Sequence, residues 1–168
     1  MSIKITRKGR KISEEVIRNF ERIIGSKLPE DYRKFLAEYN GGEPEANEFD
    51  IPDDDNSSGI NEFLNINEIK KEKEILGKRL VPSAWPIAHA ECGNLVCIIV
   101  GEKEGKIYFW DHEFEADENE LPSWKNMFLL APNFSEFWNS LKKFDPGKIE
   151  LKPGQVESIW IDPDFLKE

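Results

Sequence analysis

Gly93-Asn94-Leu95-Val96-Cys97-Ile98-Ile99-Val100-Gly101-Glu102-Lys103-Glu104-Gly105-Lys106-Ile107-Tyr108-Phe109-Trp110-Asp111-His112-Glu113 is the stretch that decides the fold. Two apolar runs rich in β-branched and aromatic residues, 95–100 and 107–110, flank a short polar segment bounded by Gly101 and Gly105. Glycine takes the positive φ values that a tight reversal demands, so the pattern predicts a β-hairpin. Neither run alternates between apolar and polar residues. Both faces of these strands therefore need cover, which places them in the interior of a sheet. Trp110 is expected to be buried there with its indole N–H on an acceptor. The chain then turns polar at once, with Asp111, His112 and Glu113 at the strand exit.

Composition bounds what such a sheet can serve. A chain of 168 residues suits one domain, 1–168, with room for a real core. Hydrophobic residues make up 39% and charged residues 33%, with a net charge of −10. That balance argues against nucleic acid, since phosphate binding needs Lys and Arg to displace counterions. It is compatible with a basic protein partner. Cys92 and Cys97 form a C-x₄-C pair with no second pair to complete a zinc site, and Cys97 inside an apolar strand reads as a small hydrophobe. No hydrophobic segment has the length of a signal peptide or of a bilayer span, so the expected compartment is a reducing cytoplasm, with no membrane partner.

Outward from the hairpin, the N-terminal side carries Lys4, Arg7, Lys8, Arg10 and Lys11 without an acid among them, which reads as a solvated arm. Ser13 is placed to cap a helix with Val16, Ile17, Phe20, Ile23 and Ile24 at helical spacing, ended by Gly25. Leu28-Pro29 opens a second helix with Tyr32, Phe35, Leu36 and Tyr39 on its apolar face, stopped by Asn40-Gly41-Gly42. Residues 63–66 read as a short strand, Asn67 as the cap of a third helix, and 80–87 as extended chain held to a sheet edge by Pro82 and Pro86. Residues 127–131 read as a strand of the buried type. Ser135 opens a helix with Phe137, Trp138, Leu141 and Phe144 on one face, ended by Pro146-Gly147. The apolar run 156–161 suits a late strand.

Two acidic blocks stand out. Residues 43–62 hold eight acids and residues 111–120 hold six, with no Lys or Arg in either. Both are expected as loops beside the sheet, near one another. Asp53, Asp54, Asp55 and Asn56 resemble part of a calcium loop, but the alternate ligand positions and the closing glutamate are absent, so no metal site is expected. His89 with Asp111, His112 and Glu113 is the one enzymatic candidate, as ligands or general base of a metal-dependent hydrolase. Consecutive strand residues point to opposite faces, so the three cannot converge. There is also no phosphate loop or nucleophile elbow. Asp111 and His112 read better as turn formers bonding to backbone, and Asn94 after Gly93 as the residue shaping the way into the hairpin. No catalytic residue and no cofactor are expected.

The ordered set Leu28-Pro29-x-x-Tyr32, Asn40-Gly41-Gly42-x-Pro44, Gly93-Asn94, Trp110-Asp111-His112-Glu113 and Phe134-Ser135-Glu136-Phe137 resembles the SUKH superfamily, over residues 13–141. That superfamily includes fungal cell-wall assembly and glucan-synthesis regulators and many bacterial immunity proteins against polymorphic toxins. The resemblance implies one α+β domain, a mainly antiparallel sheet with helices packed on it and the 95–110 hairpin at its centre. It also implies a non-enzymatic, protein-binding role: neutralisation of a secreted toxin by occlusion or, alternatively, intracellular scaffolding. A nuclease toxin has a basic groove, which acids could fill. The candidate partner-binding residues are Glu48, Asp50, Asp53, Asp54 and Asp55 of the first block and Glu115, Asp117, Glu118 and Glu120 of the second. Trp85 and Trp124, in Pro-flanked segments, are candidate anchors if they are exposed.

Overall fold

The structure is a computed structural model that describes residues 3–52, 56–101, 105–117 and 120–145. Its elements in chain order are β1 (Ile5–Thr6), α1 (Glu14–Ile24), α2 (Glu30–Glu38), β2 (Glu43–Pro44), β3 (Glu48–Asp50), β4 (Ser57–Phe63), α3 (Ile66–Leu76), β5 (Ala84–Ala90), β6 (Leu95–Ile99), β7 (Ile107–Trp110), β8 (Met127–Ala131) and α4 (Phe134–Ser140). Strands β3 to β8 form one antiparallel sheet in sequence order, and β1 pairs with β2 in a second, small one. This is an α+β fold.

The hairpin lies inside the sheet as expected, with Cys97 opposite Tyr108 and Leu95 opposite Trp110. Its lack of alternation has a direct cause. Val96, Ile98, Ile107 and Phe109 enter the main core, whereas Leu95, Cys97, Ile99 and Trp110 enter a second core on the opposite face. The main core is roofed by α1, α2 and α4. The second is closed by Leu76 at the end of α3 and by Leu80, Val81 and Ala84. Lys73 ties that roof down. Its ammonium donates to the carbonyls of Val81, Pro82 and Ala84 at 3.3, 3.3 and 2.7 Å, although burial pulls its pKa below the ordinary lysine value.

Local chemistry explains most boundaries. Ser13 accepts from the Val16 N–H, and Gly25 closes α1 at φ 77°. Only Ile17 and Phe20 of the α1 stripe are fully buried. Val16 and Ile23 are exposed, and Glu21 takes a buried place, accepting from the Leu28 N–H at 2.9 Å and pairing with Arg33. Pro29 stands at the N-cap of α2. After α2, Asn40, Gly41 and Gly42 all have positive φ. A Cβ on Gly42 would lie 2.7 Å from Ile5 and from the Thr6 carbonyl, so the close approach of β1 requires glycine there.

Several expectations are corrected. Asn65, not Asn67, caps α3 through a capping box with Glu68, which ends the strand at Phe63 rather than at 66. Strand β5 is interior, not an edge. The register shifts between Pro86 and Ala88, and this bulge absorbs the proline that lacks a donor. The all-apolar β8 is the edge instead, with Leu129 exposed. Asn133 caps α4, which starts at Phe134 and ends at Ser140. Lys142 then pairs backbone-to-backbone with Glu48, and Phe144 is exposed instead of on a helix face. Trp110 is buried at 1% exposure, but its indole N–H meets no acceptor among the described residues; Arg79 lies over its ring. The basic arm is not simply solvated. It forms β1, Lys4 and Arg7 pair with Glu45 and Glu43, and Lys8 lies over Tyr39. The 156–161 run and Pro146-Gly147 lie outside the described residues.

Candidate functional site: the acidic end of the sheet

The register fixes which loops share an end. Ala90 pairs with Ile60, Leu95 with Trp110, and Trp110 with Met127. The 91–94 turn and the 111–126 connection therefore leave the sheet at the same end. The start of β4 lies there too, and Asp50 pairs with Ser57 at that end of the β3–β4 hairpin.

The 111–126 connection is held by a small set of hydrogen bonds. Asn94 Oδ1 accepts from the His112 backbone N–H at 3.1 Å and contacts His112 Nδ1 at 2.8 Å. Asp111 caps the following 3-10 turn by accepting from the Glu113 N–H at 2.9 Å, and buried Asn126 donates to the Asp111 carbonyl at 2.8 Å. Gly93 at φ 82° lets the turn run beneath the imidazole, where a Cβ would meet the ring at 3.7 Å. Asp111 turns the chain through a side-chain bond to backbone, whereas the His112 ring contacts the Asn94 side chain rather than backbone. His89 lines the same cleft as Asn94 and stands 3.4 Å from both Glu62 and Glu72. The motif residues Leu28, Tyr32, Asn40, Gly41 and Gly42 are structural. Leu28 and Tyr32 are core, and Asn40 joins the Ile66 N–H to the Arg10 carbonyl.

The acidic candidates divide sharply. Residues 43–62 are not one loop; they supply β2, β3 and most of β4. Among the described residues of this block, three acids pair with Lys or Arg from elsewhere in the chain. Glu43 pairs with Arg7 at 2.8 Å, Glu45 with Lys4 at 2.9 Å and Lys143 at 3.6 Å, and Asp50 with Lys142. The hydrogen bond from Lys4 holds the Glu45 carboxyl below its ordinary range. Glu48 accepts from the Ser57 hydroxyl at 3.1 Å. Asp53, Asp54 and Asp55 lie outside the described residues. In the second block Glu115 takes a bidentate pair with Arg79 at 2.7 and 2.9 Å. Asp117 and Glu120 are exposed and have no ion pair among the described residues. Glu118 lies outside them.

The aromatic candidates divide as well. Trp85 is half-buried, edge-on to Phe20 at 5.8 Å and beneath Lys73, so it belongs to the packing. Trp124 remains 39% exposed, 5.3 Å from Tyr108. The same connection carries residues that sequence reasoning missed, Phe114 at 68% and Leu121 at 83% exposure, and Leu129 is exposed on edge strand β8. For Phe114 the available signal was its setting between two acids, Glu113 and Glu115, in an otherwise polar segment. Exposed apolar side chains on a segment that also carries unpaired carboxylates are the residue types found at the centre and rim of protein interfaces.

No described helix is long and apolar enough to cross a membrane. The chain is 27% identical over 175 residues to a SPbeta prophage-derived uncharacterized protein, YokK, of Bacillus subtilis (strain 168), in an alignment covering 92% of this chain and 86% of that protein. The model of the SMI1 / KNR4 family (SUKH-1) matches residues 11–140, from the end of the basic arm through α4, and the chain belongs to that family.

Proposed function

We propose that this protein is an immunity-type binding protein that neutralises a cognate secreted toxin by covering its active site, without catalysis of its own. Family membership supplies the class of role, since the family includes immunity proteins. The observation that carries the reading is the patch of Phe114, Leu121 and Trp124 among Glu113, Asp117 and Glu120 on one connection of the sheet. Exposed apolar anchors of this size destabilise nothing when covered and gain by it, about 1.5–3 kcal/mol for a fully buried large side chain. The unpaired acids on the same connection favour a cationic partner surface, such as the substrate groove of a nuclease, and speed encounter with it.

The test is co-expression with the toxin domain encoded beside this protein's gene. A Phe114→Ser, Leu121→Ser, Trp124→Ala variant is expected to lose protection and complex formation on size-exclusion chromatography while unfolding at the wild-type temperature. Protection retained in that variant and in Asp117→Lys, Glu120→Lys would remove this end of the sheet from the interface. Stable binding without protection would indicate a scaffolding role instead.

A further inference from the structure

A second surface faces away from that patch. Helices α2 and α4 lie side by side over the main core, and between them runs a groove of about 550 Å³. Its buried floor is Phe35 and Phe134, and its half-buried wall is Tyr39 and Trp138, whose rings stack 6.1 Å apart at 23°. Three carboxylates and one ammonium, that of Lys34, stand on the rim. Asp31 is committed to the fold, since it accepts from the Ser135 N–H at the start of α4. Glu30 and Glu38 are exposed, Glu30 with only long contacts of 3.8 Å to Arg33 and Lys34, and Glu38 bonded to the Tyr39 hydroxyl. The groove opens near the β6–β7 turn, where Gly105 meets Pro29, at the opposite end of the sheet from the 111–126 connection.

Aromatic planes beside carboxylates form a recognition surface for a planar cation. An arginine guanidinium stacks on such rings and pairs with carboxylates in the same pose, which neither a phosphate nor an apolar side chain can do. The chain already shows one wall accepting a cation, with Lys8 Nζ 4.7 Å from the centroid of the Tyr39 ring. We propose that this groove is the docking site for a basic segment of the protein partner, one arginine lying against Trp138 and Tyr39 with its guanidinium at Glu38 and a second basic residue at Glu30, about 12 Å away along α2. The proposal rests on the protein-binding reading above, and gives that partner a second point of attachment.

The probe is the peptide acetyl-Gly-Arg-Gly-Arg-Gly-amide, titrated into the isotope-labelled full chain, with its citrulline counterpart as the uncharged isostere. The indole N–H resonance of Trp138 is expected to shift saturably with the arginine peptide, and the citrulline peptide to bind at least about tenfold more weakly. Glu30→Gln with Glu38→Gln removes the charge while keeping the rings and the fold, and is expected to weaken the arginine peptide by a similar factor. Trp138→Leu, followed through the backbone amide resonances of α4, is expected to abolish saturable binding of the arginine peptide. Equal shifts from both peptides, or an unchanged affinity in the Glu30→Gln, Glu38→Gln variant, would overturn the proposal. The two readings fail separately. A toxin neutralised as well by Glu30→Gln, Glu38→Gln as by the wild type sinks the groove and leaves the toxin reading standing. Selective arginine binding at Trp138 without any bound toxin does the reverse.

Discussion

Trp110→Phe offers the sharpest check on the second core. The indole is 1% exposed at the end of an interior strand, with Arg79 5.5 Å above its ring, and its N–H has no acceptor among the described residues. Two opposing costs follow. The roughly 40 Å³ lost between indole and phenyl, at about 24 cal/mol per Å³ of cavity, destabilises by about 1 kcal/mol. Removing a buried donor that has no partner returns about 1–3 kcal/mol, because that desolvation penalty disappears with the N–H. The net expectation lies between no change and a gain of about 2 kcal/mol, while Trp110→Ala, which empties the site, costs about 3–5 kcal/mol. Equilibrium urea unfolding followed by circular dichroism measures both, since Trp110 itself is changed. A loss above about 2 kcal/mol for Trp110→Phe, with an unchanged denaturant slope, would show the N–H to be hydrogen-bonded and refute the reasoning.

Other perturbations test the remaining joints. Asn94→Ala removes the acceptor of two His112 hydrogen bonds and should cost about 2 kcal/mol at roughly 1 kcal/mol each; a loss under half of that by urea unfolding would show that this bridge does not hold the 111–126 connection. Burial alone would raise the Glu21 carboxyl, but its bonds from Arg33 and the Leu28 N–H outweigh that and hold it below the ordinary value of 4.5. Its stabilisation is therefore complete above that value and lost as pH falls through the lower folded one, so Glu21→Gln should flatten the acid limb of the stability profile below about pH 4.5. An identical acid limb in the variant would exclude Glu21. Burial pushes the Cys97 thiol up to about 12 while Cys92 is exposed, so one thiol per native chain should react with a thiol reagent at neutral pH, and Cys92→Ser should leave none.

How much of this was legible in the sequence depends on the range of the physics involved. The hairpin, the Ser13 and Gly25 caps and the Asn40-Gly41-Gly42 stop rest on local rules of backbone conformation, and the structure has them where the residues put them. Strand order within the sheet is non-local, and there the local rules misled. Pro82 and Pro86 argued for an edge, yet a bulge lets β5 lie inside, and the fully apolar β8 reads as interior but forms the edge. The Trp85 side chain was misplaced for the same reason, since proline neighbours suggested a loop where α1 supplies Phe20 as a partner. At the candidate site, the turn roles of Asn94 and Asp111 were legible because each bonds within a few residues or across one hairpin. The exposed Phe114 and Leu121 were not, because an apolar residue in a polar segment does not by itself say whether it is buried.

The acidic composition also acquires a different meaning once the partners of each carboxylate are known. Counted along the chain, the two blocks look equivalent, eight acids and six without a base. In the fold they are not. The bases missing from the first block arrive from the arm and from the segment after α4, so Lys4, Arg7, Lys142 and Lys143 cancel much of the field that Glu45, Glu43 and Asp50 would otherwise project. Those pairs are exposed and contribute little stability each, but a carboxylate already paired with a base steers a distant cation weakly. Among the described acids of the second block, only Glu115 is matched in this way, by Arg79. Glu113, Asp117 and Glu120 are exposed without an ion pair among the described residues, on the same connection that carries Phe114, Leu121 and Trp124. Long-range attraction and short-range apolar contact coincide on one segment, and a partner drawn by the first arrives where the second can hold it.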